Sequence, residues 1–239
     1  SQSLFGVKSK MKFGKTTVTA VVSQQESQTS SITVQGGAQT NTFSLKADQY
    51  EENKHFFLAQ YFRDNYETGL SRLPIVISNV NITKMEVWVT NIGAAVTDNR
   101  NIVAFQDLGE PNPYNPVIDP VVGRPPYPDN EANRLLNQLD INIVRDINQV
   151  SNYLKGGAFM FTAGVDFEKV ESARKLTASE YSYNNRLGFI SLNTTLNSDQ
   201  TLAVAFQYTV AGDTAVHQVG EFSDDGISAP RCLMVKLLK

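Results

Sequence analysis

The stretch Asp48–Asn91, DQYEENKHFFLAQYFRDNYETGLSRLPIVISNVNITKMEVWVTN, joins an aromatic-rich segment to the only tryptophan of the chain. Its first residues fit a capping box, in which Asp48 accepts the backbone N–H of Glu51 and the Glu51 side chain reaches back. Apolar side chains then recur at helical spacing: Phe57, Leu58, Tyr61, Phe62, Tyr66 and Leu70. The pattern predicts an amphipathic helix that ends near Gly69, because Pro74 makes continuation unfavourable.

The second half of the stretch, Val80–Asn91, predicts a strand around the tryptophan. Successive side chains of a strand point to opposite faces. Two sets result, with Met85, Val87 and Val89 on one face and Glu86, Trp88 and Thr90 on the other. Because large aromatic side chains usually serve burial, we interpret the stretch as core packing of the helix against a sheet, in preference to an aromatic ligand platform.

Composition bounds the class of protein. The 239 residues suit one large domain or two small ones, with 41% hydrophobic and 19% charged residues. A formal net charge of −3 provides no basic footprint for nucleic acid. No apolar run approaches the roughly 20 residues that a transmembrane helix needs. The opening Ser1-Gln2-Ser3 predicts a mature or excised piece, and the lone Cys232, beside apolar neighbours, predicts a buried structural thiol.

Residues 4–23 predict a β-hairpin that turns at Gly14-Lys15, since apolar residues alternate with lysines before the turn and β-branched residues follow it. Two interpretations stay open. A lysine-studded hairpin suits the edge of a soluble sheet, whereas two strands of an outer-membrane barrel would show the same alternation. The polar Ser23–Ser31 that follows is typical of a flexible excursion.

The segment Gly109–Asp129 divides the chain, because it holds seven of the nine prolines. Such density excludes regular helix or a central strand and indicates an extended strap or linker. Beyond it, Asp129 or Asn130 caps a predicted helix, either one bent helix or two short ones with a second cap at Asp140, ending at Gly156-Gly157. We therefore predict three parts: 1–109, a hairpin plus a helix and strand region; 110–128, the proline-rich strap; and 129–239, a helix and a second β-rich region.

The strongest strand of the second half is Thr201–Val210, in which large residues alternate with small ones such as Ala203 and Ala205. Together these elements predict an α+β, β-rich fold of mainly antiparallel sheets, sandwich-like, with two or three packed helices.

Chemical motifs are weak throughout. His55 and His217 are the two histidines, without a companion at metal-ligand spacing, so structural or surface roles are favoured. Asp224-Asp225-Gly226 lacks the other ligands of a calcium loop. No nucleophile elbow or dinucleotide fingerprint occurs. The sequence predicts a protein that is not an enzyme, and we assign no catalytic, cofactor-binding or metal-binding residues and no cofactor.

Ordered segments resemble one family along nearly the whole chain. They include Ser3–Lys8, Ile32–Thr40, His55–Arg63, Glu86–Asn91, Asn101–Phe105, Asp107–Glu110, Ala173–Leu176, Leu187–Asn193, Leu202–Thr209 and Val219–Ser223. In these segments the chain resembles the SprA/Sov family, the outer-membrane translocon of the type IX secretion system, which also serves gliding motility.

The resemblance implies a protein-conducting outer-membrane barrel with large inserts, of which this chain would be one fragment. It implies as partners the remainder of the barrel, its accessory subunits and secreted cargo proteins. If the hairpin belongs to the barrel, the chain after its tight turn emerges outside, because long connections lie on that side. We therefore expect an insert at the extracellular cap, at the outer membrane and cell surface, and no nucleic-acid partner.

Three function hypotheses remain. The first is a structural and interaction domain of the translocon, the second is a β-sandwich carbohydrate-binding module, and the third is a hydrolase with a carboxylate pair. A coplanar exposed row of Trp88, Tyr114 and Tyr127 beside a groove would favour sugar binding, whereas burial of Trp88 under the Phe57–Phe62 face would argue against it.

Overall fold

The computed structural model describes residues 3–13, 16–26, 46, 49–93 and 98–239. The chain forms two compact units, Ser1–Lys46 and Ala47–Lys239. In the first unit, β1 (Ser3–Phe13) pairs antiparallel with β2 (Thr16–Glu26), which confirms the predicted hairpin. Strand β2 continues to Glu26, so residues 23–26, the first part of the predicted flexible excursion, belong to this strand. The turn at residues 14–15 and the stretch 27–45 lie outside the described residues.

The second unit is β-rich with short helices. In chain order its elements are β3 (His55–Phe57), α1 (Gln60–Asp64), α2 (Tyr66–Leu70), β4 (Val80–Val89), β5 (Arg100–Phe105), α3 (Leu135–Gln138), α4 (Ile141–Val144), α5 (Val150–Lys155), β6 (Phe167–Lys175), β7 (Tyr181–Asn184), β8 (Phe189–Leu192), β9 (Leu202–Val210), β10 (Val216–Val219) and β11 (Leu233–Leu237). This confirms the predicted α+β, β-rich class. Among the described residues, no helix combines the length and apolarity needed to cross a membrane.

The predicted single helix after Asp48 is wrong. The cap residue Asp48 lies outside the described residues, and His55–Phe57 form a strand that pairs antiparallel with β8. Two short helices follow, separated by Asn65, whose backbone leaves the helical region (φ −99°, ψ 3°) and whose side-chain amide donates to the Tyr61 carbonyl (2.8 Å). Tertiary pairing of an aromatic strand has overridden the helical spacing of the sequence.

Strands β4, β5, β6, β9 and β11 close into a barrel in the order β9-β11-β5-β6-β4, with β4 returning to β9 and β10 attached outside this ring. The pair β5–β11 is parallel, and the other pairs are antiparallel. Strands that precede and follow the proline-rich segment are therefore direct neighbours in one sheet. The boundary between the compact units falls between Lys46 and Ala47.

The barrel interior is built around Trp88, whose side chain is fully buried. Each barrel strand contributes residues from one face to this cluster, which consists of Trp88, Ile102, Ala104, Val170, Ala173, Ala203, Ala205, Leu233 and Val235, with Phe222 beside them. A barrel of few strands has a narrow interior that side chains must fill. The alanines of β5, β6 and β9 leave the volume that the indole ring occupies.

The opposite face of the barrel carries a larger core that includes the short helices. Phe62 of α1 packs edge-on against Phe206 and Tyr208, with ring centroids 6.1 and 6.2 Å apart, so the predicted burial of the aromatic face against a sheet is confirmed. Trp88 does not take part, because it points into the barrel.

The region 110–157 contains the strap and three of the helices. No regular helix or strand forms in 110–128, as the prolines predict. The predicted helix after residue 129 divides into α3, α4 and α5. The predicted cap at Asp129 or Asn130 is wrong, because α3 begins only at Leu135, after Arg134. Asp140 caps α4 through a hydrogen bond from Asn142 N to its Oδ1 (3.0 Å). The second cap at Asp140 is thereby confirmed.

Gly188 is required by the packing of Phe62. Its φ is +65°, and a Cβ placed there would lie 2.0 Å from the Phe62 ring. We expect Gly188→Ala to lower the free energy of unfolding by about 2–4 kcal/mol, through backbone strain and displacement of the ring. Urea denaturation followed by circular dichroism measures this loss.

Gly212→Ala is the matched control, since Gly212 also has a positive φ (+87°) but nothing lies within 4 Å of an added Cβ. It should cost only about 1 kcal/mol, the strain alone. Equal losses in the two variants would contradict the packing argument.

Candidate functional site

A cleft of about 430 Å³ lies between β3 and one end of the barrel. One wall is the chain at 57–60, and the other comes from the ends of β5 and β11 and from residues 164–165. Arg63 and Tyr114 also line it and are joined by a hydrogen bond from Arg63 Nη1 to Tyr114 Oη (3.2 Å). We call this feature the β3 cleft.

A buried ion pair forms part of the β3 cleft. Lys236 Nζ lies 2.6 Å from Glu110 Oε1, and the two side chains are only 5% and 2% exposed. Lys236 also donates to the carbonyl of Gln106, and Glu110 Oε1 accepts the backbone N–H of Gln60 (3.1 Å). This carboxylate thus joins the first turn of α1 to β11 and fixes the distance between the two walls.

Hydrogen bonds at both ends of β3 determine which way its backbone groups point. The N–H of Leu192 donates to the carbonyl of Lys54 (2.9 Å), and the N–H of Leu58 donates to the carbonyl of Gly188 (3.0 Å). In an antiparallel ladder such bonds alternate along the strand. The backbone groups of residues 54, 56 and 58 on this strand therefore face β8.

The intervening residues His55 and Phe57 present their N–H and C=O groups to the opposite side. No strand pairs with that side of β3 within the described part of the chain, so β3 is an edge strand of the sheet β3-β8-β7. The extended backbone continues through Ala59, with φ −158° and ψ 166°. This edge was missed from the sequence, because the apolar spacing of 57–70 indicates a helix.

An aromatic hollow of about 230 Å³ adjoins the same edge. Its lining consists of His55, Phe56, Phe57, Tyr66 and Phe189. The rings of Phe57, Tyr66 and Phe189 meet edge to face, with centroids 5.3 to 6.4 Å apart. Because these rings are only partly buried, the hollow offers an apolar surface to a side chain from outside.

His55 joins two polar groups beside the hollow. Its Nδ1 lies 2.8 Å from Ser191 Oγ, and its Nε2 lies 2.7 Å from Glu51 Oε2. Hydrogen bonds from Lys54 and then His55 lower the pKa of Glu51. A serine beside a histidine suggests a nucleophile, which would need a free backbone N–H to stabilise an oxyanion. The backbone N–H of Ser191 is not free, because it belongs to the hydrogen-bond ladder with β7. The arrangement fastens the turn before β3 to the sheet.

His217 lies in a second polar cluster far along the chain. Its Nδ1 is 3.0 Å from Asp129 Oδ2, and its ring stacks on Tyr208 at 5.1 Å. The Tyr208 hydroxyl donates to the carbonyl of Pro128 (2.5 Å). These contacts hold the end of the proline-rich segment against β9 and β10, the structural role predicted for this histidine.

The Asp224-Asp225 pair serves the loop before β11. Asp224 accepts a hydrogen bond from Lys84 Nζ (2.7 Å), while Asp225 accepts the backbone N–H of Phe222 (2.8 Å). No group of three potential metal ligands occurs among the described residues. The two contacts hold the beginning of the loop, next to Phe222, whose ring belongs to the cluster around Trp88.

Cys232 is buried at the start of β11, as the sequence predicts. Burial raises the pKa of its thiol to about 11. We expect iodoacetamide at pH 8 to modify the folded chain at least about a hundredfold more slowly than the chain in urea, because the thiolate is the reactive form. Mass spectrometry of the alkylated fraction over time measures the difference, and equal rates would contradict the burial.

The aromatic residues weighed for sugar stacking do not form one row. Trp88 is enclosed in the barrel, Tyr114 is 57% exposed at the rim of the β3 cleft, and Tyr127 packs edge-on against Tyr61 at 5.2 Å. A stacking surface needs exposed ring faces. Trp88 therefore cannot provide one in the folded chain.

Comparison with known proteins gives a match to one protein family. Residues 1–216 match a protein family described as motility related/secretion protein. The match covers the hairpin, β3 and its cleft wall, and four of the five barrel strands, up to the start of β10. No curated protein matches the chain.

Proposed function

This chain belongs to the SprA_N family of motility-related secretion proteins, and on that premise we propose that it is a non-catalytic structural and interaction domain of the type IX secretion translocon. The observation that carries the interaction role is the β3 cleft, in which an open strand edge borders a closed barrel. A rigid support lowers the entropy cost of ordering a binding surface, so partners gain affinity from a preformed site.

The structural role follows from how the cleft walls are fastened. One ion pair and its hydrogen bonds join three regions of the chain there: Lys236 pairs with Glu110 and donates to the Gln106 carbonyl, and Glu110 accepts the Gln60 N–H. The second wall is formed by the ends of β5 and β11, the same strands that contribute Ile102, Ala104, Leu233 and Val235 to the Trp88 core. Such a domain would keep its shape while contacting the rest of the translocon, its accessory subunits or cargo.

We place the domain at the extracellular cap of the outer-membrane barrel. The support is the hairpin of β1 and β2, with eleven residues in each strand and a two-residue connection. Transmembrane strands have about this length. If they belong to the large barrel, the tight connection faces the periplasm and the long insert leaves on the outer side.

The proposal is tested in cells that carry the complete translocon. Residues 47–239 are replaced by a short flexible linker, and export of a cargo with a C-terminal signal is measured in the medium. We expect export to fall to the level of a strain without the translocon, and immunoblots of outer-membrane fractions report whether the translocon still assembles. Loss of export, with or without loss of assembly, supports the proposal, whereas unchanged export overturns it.

A further inference from the structure

We propose that β3 is the docking site for an extended polypeptide segment, which adds to the open edge as an extra strand and places an apolar side chain in the aromatic hollow. The proposal rests on the proposed function only for the source of that segment, a partner or cargo of the translocon. The binding mode itself rests on the backbone geometry of β3.

The first reason is the set of unused backbone groups. The N–H and C=O groups of His55 and Phe57 point away from β8 and form no hydrogen bonds within the described part of the chain. Extended backbone through Ala59 prolongs the same edge. A peptide in the strand conformation matches this alternating set of donors and acceptors, which is how strand addition provides affinity.

The second reason is the space beside the edge. Phe57 lines both the β3 cleft and the aromatic hollow, so room lies on each side of the strand. The cleft volume of about 430 Å³ falls within the roughly 300–1,000 Å³ of ordinary binding clefts. Proteins usually block exposed edges with prolines, bulges or covering elements. Among the described residues, no proline, bulge or covering element occurs on β3, whose residues are His55, Phe56 and Phe57, although the strand is only three residues long. Its shortness limits the added segment to a few backbone hydrogen bonds.

The third reason is chemical complementarity beyond the backbone. The side-chain amide nitrogen of Gln60 is buried beside the cleft without a hydrogen-bond partner. This nitrogen is enclosed within the folded chain, so it offers no donor to an added segment, and the side-chain preference of the site comes from the rings of the aromatic hollow. On the other side, the rings of Phe57, Tyr66 and Phe189 select an apolar side chain at an alternate position of the segment.

The test uses the 239-residue chain and a capped peptide of alternating threonine and valine, with a central leucine and terminal lysines. Binding is followed by ¹H–¹⁵N NMR and amide hydrogen exchange. The amides of His55 and Phe57 should exchange roughly tenfold more slowly when roughly 90% of the chain is bound, because exchange then occurs only from the free fraction. A peptide N-methylated at every residue keeps the side chains and loses the donors, so it should not bind.

Two variants of one residue separate the backbone from the side chain. His55→Pro removes an outward N–H and leaves the ladder bonds to β8 in place, and proline is tolerated on strand edges. His55→Ala keeps that N–H and removes the imidazole. Both variants lack the imidazole that lines the hollow, so they differ at the backbone N–H. We expect the proline variant to bind the peptide at least about tenfold more weakly than the alanine variant, because only the alanine variant keeps that donor. If the proline variant loses its native NMR spectrum, it is misfolded, and the comparison of the N-methylated with the unmodified peptide then tests the proposal by itself.

Several results would overturn the proposal. The first is that the N-methylated peptide binds as tightly as the unmodified peptide. The second is that the amides protected from exchange lie in β7 or β10 instead of β3. The third is that the unmodified peptide does not bind at millimolar concentration. Self-association through β3 that excludes the peptide would assign the edge to a second copy of the chain and would also overturn it. Because binding is measured with the purified chain, a failed export experiment leaves this result unaffected.

Discussion

Replacing Trp88 by alanine is expected to lower the free energy of unfolding by about 3–5 kcal/mol, the range for deletion of a fully buried large aromatic side chain. Trp88 occupies the interior of the narrow barrel and is 0% exposed. The side chains of the neighbouring alanines are too short to refill the cavity. Urea denaturation followed by far-UV circular dichroism measures the change and does not depend on tryptophan fluorescence.

Two further variants serve as controls for this prediction. Trp88→Phe keeps a ring and removes the indole Nε1, which has no hydrogen-bond partner, so its loss should be clearly smaller. Val122→Ala, at a side chain that is 94% exposed, should stay within about 0.5 kcal/mol of the native chain. A Trp88→Ala loss below about 1 kcal/mol would contradict the position of Trp88 inside the barrel.

Lys236→Met is expected to cost about 3–5 kcal/mol, because it leaves the buried carboxylate of Glu110 without its cation. The double variant Lys236→Met with Glu110→Gln removes both charges and keeps an acceptor for the Gln60 N–H, so it should recover most of the loss. The same urea titrations, combined in a double-mutant cycle, give the coupling energy of the pair.

An exposed ion pair is the matched control for this cycle. Lys169 and Glu171 lie 2.9 Å apart, and the Glu171 side chain is 64% exposed. Lys169→Met should therefore change stability by no more than about 1 kcal/mol. Equal costs for Lys169→Met and Lys236→Met would show that burial of the Lys236 pair does not determine its energy.

The strands that form the barrel were largely predictable, whereas its closure was not. Val80–Val89 and Leu202–Val210 both show alternation, and the small Ala203 and Ala205 correctly indicate one face that differs from the other. Their pairing, and the parallel pairing of β5 with β11, join segments more than a hundred residues apart. The alternation of residue types along a strand indicates which of its faces is buried, but it does not identify the strand that pairs with it.

The β3 edge could not be predicted because local and tertiary preferences compete there. Phe57, Leu58, Tyr61 and Phe62 satisfy a helical stripe, and all of them are wholly or partly buried. Yet the first of them lies on a strand, since β8 offers hydrogen-bond partners and apolar contacts to His55–Phe57. Sequence periodicity predicts the burial of these residues, but the direction of their backbone groups depends on the partner strand.

The parallel pair of β5 and β11 sets the order of events during folding. Strand β11 follows the other four barrel strands in sequence and fits between β5 and β9. Until residues 233–237 are available, β5 and β9 each lack a neighbour on the side that β11 covers, and Trp88 has no complete enclosure. The barrel of a growing chain therefore cannot close before residues 233–237 arrive, and contacts of such long sequence separation form slowly.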